Sequence, residues 1–297
     1  MDDRTRSGAV HRPETISPVT PGAAVTIRAL RSPDLDGALA ANDAVGWRER
    51  RALFEFYGAR EDSALFVADV DGTIVGTGGA TVFAGAPATG WVHGIVVRPD
   101  HQRAGLGARL TGAAVDWLRA RDVGAVLLLA TDAGRPVYER LGFLAGERYG
   151  AFAWPEPEPE GTAPLRRMES RHLAAARALD REATGEDRGG FIESLSESGW
   201  VALRGAELVG FHVACPWGGG PAIARDADSG LALLRRAASL QPRRSRTVGL
   251  PTTNAAAVQY LVERGITAER YVTRMWLGHP PAWRPEMIFG VFNFGVA

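Results

Sequence analysis

Three short stretches carry the residue types and spacings that could do chemistry. In "VVRPDHQRAGLGARL", residues 96 to 110, an apolar run stops at Pro99 and two closely spaced glycines, Gly105 and Gly107, lead into a helical pattern. Glycines there let the backbone turn sharply and approach a ligand without a Cβ in the way. The first N–H groups of the helix lack helical partners and sit at the positive end of its dipole, which makes a seat for a phosphate or diphosphate. In "GWVHGIVV" strand alternation puts Trp91, His93, Ile95 and Val97 on one face, so His93 is a candidate cleft residue, a neutral imidazole able to accept a proton near working pH. A satisfied structural histidine fits the same pattern. In "GWRERRALFEFYG", Trp47, Phe54 and Tyr57 recur at helical spacing and read as core before pocket; Glu49 and Glu55 are reserve bases.

Composition narrows what these residues can serve. The chain has 297 residues and zero formal charge, so the broad positive field that draws a protein onto nucleic acid or acidic lipid is missing. All 34 Lys+Arg residues are arginine, which removes a lysine-dependent phosphate loop and a pyridoxal phosphate Schiff base. The single cysteine, Cys215, supports neither an internal disulfide nor a cysteine-rich zinc site and reads as a small buried hydrophobe. No His/Asp/Glu set has metal-ligand spacing, and His101 and His11 are expected at the surface. No apolar run approaches the roughly 20 residues that span a bilayer, and the first two dozen residues lack a signal peptide's apolar centre. The expectation is a cytoplasmic protein with no nucleic-acid or membrane partner.

The elements that must position these residues follow from pattern. The sequence predicts a strand at 24 to 29, helical material from about 33 to 58, strands at 64 to 70, 73 to 83 and 91 to 97, and a helix at 106 to 121. A strand at 125 to 130, a helix at 135 to 140 and a last strand near 147 to 154 complete the first half. The stretch "WPEPEPEGTAP", Trp154 to Pro164, can neither pair in a sheet nor continue a helix and reads as a stiff linker. Beyond it the outline repeats. "GWVALRGAELVGFHVA" is a hairpin like "ALFVADVDGTIVGTGGA", and "TVGLPTTNAAAVQYLVERGI" copies the strand, loop, helix and closing glycine of "VLLLATDAGRPVYERLGF". The expected organisation is a flexible tail at 1–23, a catalytic unit at 24–154, a linker at 155–164 and a second unit at 165–297. The fold class is mixed α/β (α+β), two modules in tandem, each with a mostly antiparallel sheet flanked by helices.

A Rossmann reading fails, because a third small residue is missing where Leu110 stands. Instead Gln102-x-x-Gly105-x-Gly107, after a "V-x-P" strand end and before an amphipathic helix, resembles the Q/R-x-x-G-x-G/A signature of the GNAT superfamily of acyl-CoA-dependent N-acetyltransferases. "PVYERLGF" is similar to that superfamily's later Tyr-x-x-x-Gly-Phe element. The likeness covers about 24 to 154 and, more faintly, the second half, as in bacterial tandem members with an intact first module and a worn second one. It implies that the strand carrying Ile95, Val96 and Val97 splays from its neighbour and pairs with the pantetheine arm of acetyl-CoA, and that Gln102, Arg103, Ala104, Gly105, Leu106, Gly107 and Ala108 hold the diphosphate. It implies that Tyr138 protonates the coenzyme A thiolate, and it makes His93 the base in place of a glutamate that many relatives carry where Trp91 stands. Asp132 stands near where many members have an asparagine on pantetheine.

The function so implied is transfer of an acetyl group to the primary amine of a small molecule by direct attack on the thioester, without a metal. The alternatives are a non-catalytic acyl-CoA sensor or assembly module, a protein amine as acceptor, and a longer acyl donor. In the second half, Asp226 and Asp228 occupy the place of the glycine loop and would repel a diphosphate, and Leu261 stands where Tyr138 does. That half is expected to serve for packing or to wall the cleft, with His212 and Asn254 structural.

Overall fold

A computed structural model describes residues 24–157, 164–240 and 247–297. The expected tail with His11, and the middle of the Pro/Glu linker, lie outside the described residues. The first half runs β1 (Val25–Ala29), α1 (Leu35–Asp43), α2 (Arg51–Gly58), β2 (Ser63–Val70), β3 (Thr73–Phe83), β4 (Thr89–Val97), α3 (Leu106–Arg119), β5 (Ala125–Ala130), α4 (Arg135–Arg140) and β6 (Leu144–Ala153). The second half runs β7 (Leu165–Arg167), α5 (Leu173–Thr184), α6 (Gly189–Ser194), β8 (Trp200–Arg204), β9 (Glu207–His212) and β10 (Ala222–Ala224). It continues with α7 (Ala227–Leu240), β11 (Thr247–Pro251), α8 (Ala255–Val262), β12 (Ala268–Gly278) and β13 (Ile288–Gly290). The helical stretch expected at 33 to 58 is two helices, broken where Gly46 and Glu49 take positive φ, 82° and 58°.

The helix α3 forms because Leu106, Leu110, Ala114 and Leu118 fall on one face and all bury against the sheet. Glycines beneath it make the close approach possible. A Cβ on Gly90 would stand 2.6 Å from Leu118, and one on Gly76 would stand 3.1 Å from Leu110 and 2.7 Å from the Val96 carbonyl oxygen. Each fully buried leucine in this layer is worth about 2 kcal/mol of apolar transfer.

One of the two sheets takes strands from both halves. One eight-stranded sheet has the order β1-β2-β3-β4-β5-β12-β6-β11, and a five-stranded sheet has the order β13-β10-β9-β8-β7. The long β12 of the second half pairs with β5 from Thr273↔Ala130 to Gly278↔Ala125, while β6 of the first half pairs with β11. The two closing strands have therefore changed places, and β6 and β12 pair with each other at the centre of the exchange. The Pro/Glu stretch divides the sequence, whereas the sheet runs continuously across that division.

A single apolar cluster spans both halves, with Tyr57, Trp91, Leu127 and Tyr149 packed among Phe191, Phe211, Ile223 and Phe292. Inside it the buried Glu186 carboxylate accepts hydrogen bonds from Trp91 Nε1 at 2.7 Å and Thr89 Oγ1 at 2.8 Å. Burial raises the Glu186 carboxyl above its usual range, and Arg188, itself paired at 2.6 Å with buried Asp180, opposes that rise. Cys215 is buried nearby as expected, its thiol pushed up by desolvation.

Candidate active site

The site begins where β4 and β5 part. These parallel strands pair only through Thr89↔Ala125, Gly90↔Val126 and Trp91↔Leu127. Beyond Trp91 the β4 main-chain groups on that side, through Ile95, Val96 and Val97, have no strand partner among the described residues, which is the splay that the resemblance implies. Its local cause is a β-bulge. On the other edge of β4 the register slips between Gly79↔His93 and Thr77↔Val96, so β4 carries one extra residue there. Gly94 takes φ 63° at the bulge, a conformation that glycine adopts without a Cβ penalty. Thr77 Oγ1 donates to the Gly94 carbonyl at 3.0 Å, and Asn42 on α1 donates to Thr77 Oγ1 at 3.1 Å, so the bulge is held from two elements.

The glycine loop follows directly. Gln102 Nε2 donates to the Val97 carbonyl at 2.9 Å, tying the loop to the end of β4, so its side chain braces the turn. Arg103 and Gly105 have φ of 66° and 77°, and residues Gln102 to Gly105 are exposed. The first helical return is from Arg109 N to the Gly105 carbonyl, which leaves the N–H groups of Leu106, Gly107 and Ala108 at the open end of α3. A Cβ added at Gly105 or Gly107 would meet nothing within 4 Å, so the space in front of those amides is clear. His101, expected at the surface, is buried instead: the short 3-10 turn Pro99–His101 folds it back, with Nδ1 3.0 Å from Asp100 Oδ1.

Tyr138 lies on α4, where the Phe143 N–H returns to its carbonyl at 3.0 Å and Gly142 closes the turn at φ 89°. Its ring packs edge-on to Phe143, with centroids 6.0 Å apart. Burial pushes its phenol up to about 12, so it stays protonated through the neutral range. Its hydroxyl makes no hydrogen bond to any described residue. Asp132 is exposed in the turn before α4.

A cavity of ≈ 440 Å³ opens beside the bulge. Thr77, His93 and Gly94 line it from the strands, and Trp47, Arg50 and Tyr57 from the α1–α2 region. Trp217, Arg270 and Asn293 close it from the second half. Trp47, Phe54 and Tyr57, read as core from their spacing, serve both purposes: Phe54 and Tyr57 are buried, and all three touch the cavity. Glu49 lines it too, whereas Glu55 is exposed and faces Arg51.

His93 is held tightly. Its ring stacks on Tyr57 with centroids 4.2 Å apart, its Nε2 lies 3.0 Å from Thr81 Oγ1, and it hydrogen-bonds the Ala80 backbone. Burial lowers it to about 3, so it is neutral at neutral pH and resists taking a proton. Thr81 Oγ1 in turn lies 2.9 Å from Ser63 Oγ.

Sequence reasoning missed the cavity's far wall. Trp217 Nε1 donates to the Phe292 carbonyl at 2.9 Å, and Asn293 Nδ2 donates to the Tyr57 hydroxyl at 3.1 Å. Gly295 abuts His93, where a Cβ would stand 2.8 Å from that residue's own. The only signal in the sequence was the glycine-rich "CPWGGGP" around Trp217, which carries no recognised chemistry.

Comparison with known proteins agrees with this geometry. Residues 34–143 match a family model described as acetyltransferase (GNAT) family, and residues 176–290 match one described as acetyltransferase (GNAT) domain. The chain is a tandem member of the GNAT acetyltransferase family. Its fold is that of a Pyrococcus horikoshii protein assigned as an acetyltransferase, with TM-score 0.79 and 18% identity over 97% of this chain and 99% of that one. A GCN5-related N-acetyltransferase from Sphaerobacter thermophilus matches with TM-score 0.56 and 16% identity over 88% and 97%. At such identities the likeness speaks for the fold alone. No curated protein matches in sequence.

Among the described residues of this tandem GNAT chain, the second half lacks each opening of the first. Along β10, the counterpart of β4, the edge away from β9 is occupied by β13, paired through Ala222↔Gly290 and Ile223↔Ile288. At the start of α7, Asp226 accepts from Ser229 N at 2.9 Å and from Arg204 at 2.9 Å. A Cβ on Gly230 would lie 2.2 Å from the Phe289 ring, whereas the same test at Gly107 meets nothing. Leu261 is buried in apolar core. His212 donates from Nδ1 to the Pro221 carbonyl at 3.0 Å, and Asn254 caps α8 by accepting from Ala257 N, so both have structural partners.

Family membership makes acyl transfer from acyl-CoA the chemistry of this fold. Among the described residues no helix is long and apolar enough to cross a membrane.

Proposed function

We propose that the first half binds acetyl-CoA and transfers its acetyl group to the primary amine of a small molecule that enters the ≈ 440 Å³ cavity. The observation that carries this reading is the contrast between the two strand edges: open beyond Trp91 on β4, filled by β13 on β10. An open edge accepts an extended arm as an added strand. The amides of Leu106, Gly107 and Ala108, with Arg103 beside them, receive the diphosphate.

Acetyl-CoA supplies an activated thioester, and the protein groups divide the remaining work. A main-chain N–H of β4 beside the Gly94 bulge donates to the developing oxyanion, an interaction whose loss elsewhere costs about 3–4 kcal/mol. Tyr138 donates its hydroxyl proton to the departing sulfur. His93, the base suggested by strand alternation, acts in this reading as a neutral wall that fixes Tyr57 and the bulge, because burial holds it near 3. The proton of the incoming ammonium leaves through Glu49, the only carboxylate among the described lining residues, or through water.

The alternative of a sensor without turnover draws on Trp91, whose indole N–H is committed to Glu186 where many relatives place a catalytic glutamate. Following coenzyme A release from acetyl-CoA across a panel of small amines separates the two. Release above the hydrolysis background with at least one amine supports transfer, and binding of acetyl-CoA without release for any amine overturns it.

A further inference from the structure

The charges of the acceptor cavity are unbalanced. Among the described residues, Arg48, Arg50, Arg51 and Arg270 line it against one carboxylate, that of Glu49. Arg51 is occupied, donating to Asp36 at 2.8 Å. Arg50 and Arg270 differ. Neither guanidinium has a carboxylate within ion-pair distance among the described residues. Each is instead laid over an aromatic ring, Arg50 at 5.0 Å from the Trp47 centroid and Arg270 at 4.5 Å from that of Phe294. Arg50 is half-buried and Arg270 is more exposed. Burial lowers both from their usual value, and for Arg50 the charge of Arg270 lowers it further. Two guanidiniums that desolvate and repel each other cost free energy in the empty protein. An oxyanion between them removes the repulsion and fills both donor forks.

We infer that the acceptor is a primary amine that also carries an anionic group, a carboxylate or a phosphate, which Arg50 and Arg270 clamp while the amine is directed toward the Gly94 bulge. This deepens the acetyltransferase reading and rests on it. Trp47, Tyr57 and Trp217 supply apolar walls between the two ends, which suits a compact acceptor with a hydrophobic or planar body. Aromatic stacking also holds the two guanidiniums in place before the ligand arrives, which reduces the ordering cost of binding.

The test uses matched acceptors that differ only in the anion: L-phenylalanine, L-phenylalanine amide and phenethylamine for the carboxylate, O-phosphoethanolamine and ethanolamine for the phosphate. Coenzyme A release at saturating acetyl-CoA gives kcat and KM for each, with the native chain and with Arg50→Gln and Arg270→Gln, whose folding is checked by thermal melting. Losing the charged clamp corresponds to roughly a ten- to hundredfold effect. The expected result is a KM lower by that factor for an anionic member than for its neutral partner, and a ratio that collapses toward one in each variant. The arm that shows the advantage identifies the oxyanion. Equal KM values for anionic and neutral members, or an advantage that survives in both variants, overturns the inference while leaving acetyl transfer intact. If nothing turns over, calorimetry on the chain loaded with coenzyme A decides: binding of the anionic members alone supports the clamp, and no preference for them overturns it. A chain that does not bind acetyl-CoA at all overturns the acetyltransferase reading, and the clamp with it.

Discussion

Acidification discriminates between His93 as a base and His93 as a wall. Its ring is lowered from 6.5 to about 3, and that of His212 to about 4, in both cases chiefly by burial. In the unfolded chain both titrate near 6.5, so between that pH and the folded values the unfolded state binds more protons than the native one. The stability associated with keeping these rings neutral is therefore complete above about pH 6.5 and drains away as pH falls toward 3 to 4. Taking roughly 1.4 kcal/mol for each pH unit below 6.5 for each group, moving from pH 7 to pH 5 costs about 2 kcal/mol per histidine, or about 4 for the pair. Against a typical domain stability of about 5–15 kcal/mol that is a large loss. Glu186 works in the opposite direction, because a carboxyl raised by burial is stabilised as pH falls. The difference between native chain and His93→Gln isolates the histidine: urea unfolding at pH 7, 6 and 5 is expected to show a slope shallower by about one proton in the variant. Ring NMR of the native protein gives the same quantity directly and does not depend on the variant folding. A His93 ring that titrates between 6 and 7, or a kcat/KM acid limb in that range that vanishes in His93→Gln, refutes the burial argument and returns the base role to His93.

Three further outcomes are expected. Tyr138→Phe removes only a hydroxyl that no described residue bonds, so it leaves melting temperature and acetyl-CoA affinity nearly unchanged while kcat falls by roughly a hundredfold; an unchanged kcat removes Tyr138 from the chemistry. Gly107→Asp places a carboxylate at the second residue of α3, imitating Asp228 at the second residue of α7. The fold is kept or gains about 0.3–1 kcal/mol from the dipole while calorimetric affinity for acetyl-CoA drops at least about tenfold, and unaltered affinity would remove the diphosphate from that loop. Glu186→Leu strands the buried donors of Trp91 and Thr89, at about 1–3 kcal/mol each, so chemical denaturation is expected to show a loss of roughly 2–6 kcal/mol, and a loss under about 1 would show that the pair is not a significant tie between the halves.

How much of this was legible in the sequence depends on the range of the interaction. Turn residues, alternation and helical stripes are local, and they located β5 and α4 at their observed limits and the hairpin at Asp71-Gly72, where both residues take positive φ. The loop from Gln102 to Gly107 was legible because its glycines answer a backbone requirement that a sequence displays. The exchange of β6 and β12 was not legible. β5 and β11 offer similar apolar edges, both closing strands alternate in the same way, and only the packing of the whole chain selects a partner. The cavity was likewise half visible. His93 and Tyr57 stand on patterned elements, but Arg50 and Arg270 are 220 positions apart, and nothing in "VFNFGVA" signals that Asn293 bonds Tyr57 or that Gly295 abuts His93. His101 was misread because a polar residue beside a proline turn resembles surface, whereas the 3-10 turn folds it inward.

The second half, whose β10 edge is filled by β13, is bound into the first by the features that closed it. Its β12 fills the slot next to β5, without which the parallel pair would present a long unpaired edge and the splay would lose its rigid side. Residues 291 to 295, which follow β13 directly, form the wall against Tyr57 and His93, so the strand that plugs the second cleft also delivers the segment that encloses the first. A lone first half would keep the glycine loop and the bulge. It would lose Trp217, Arg270 and Asn293, leaving the cavity open to water and the apolar faces of Tyr57 and Trp91 exposed. The cavity is lined from both halves, so under the proposed function changes in acceptor preference should arise as readily from substitutions at 216–220 and 291–295 as from those in α2.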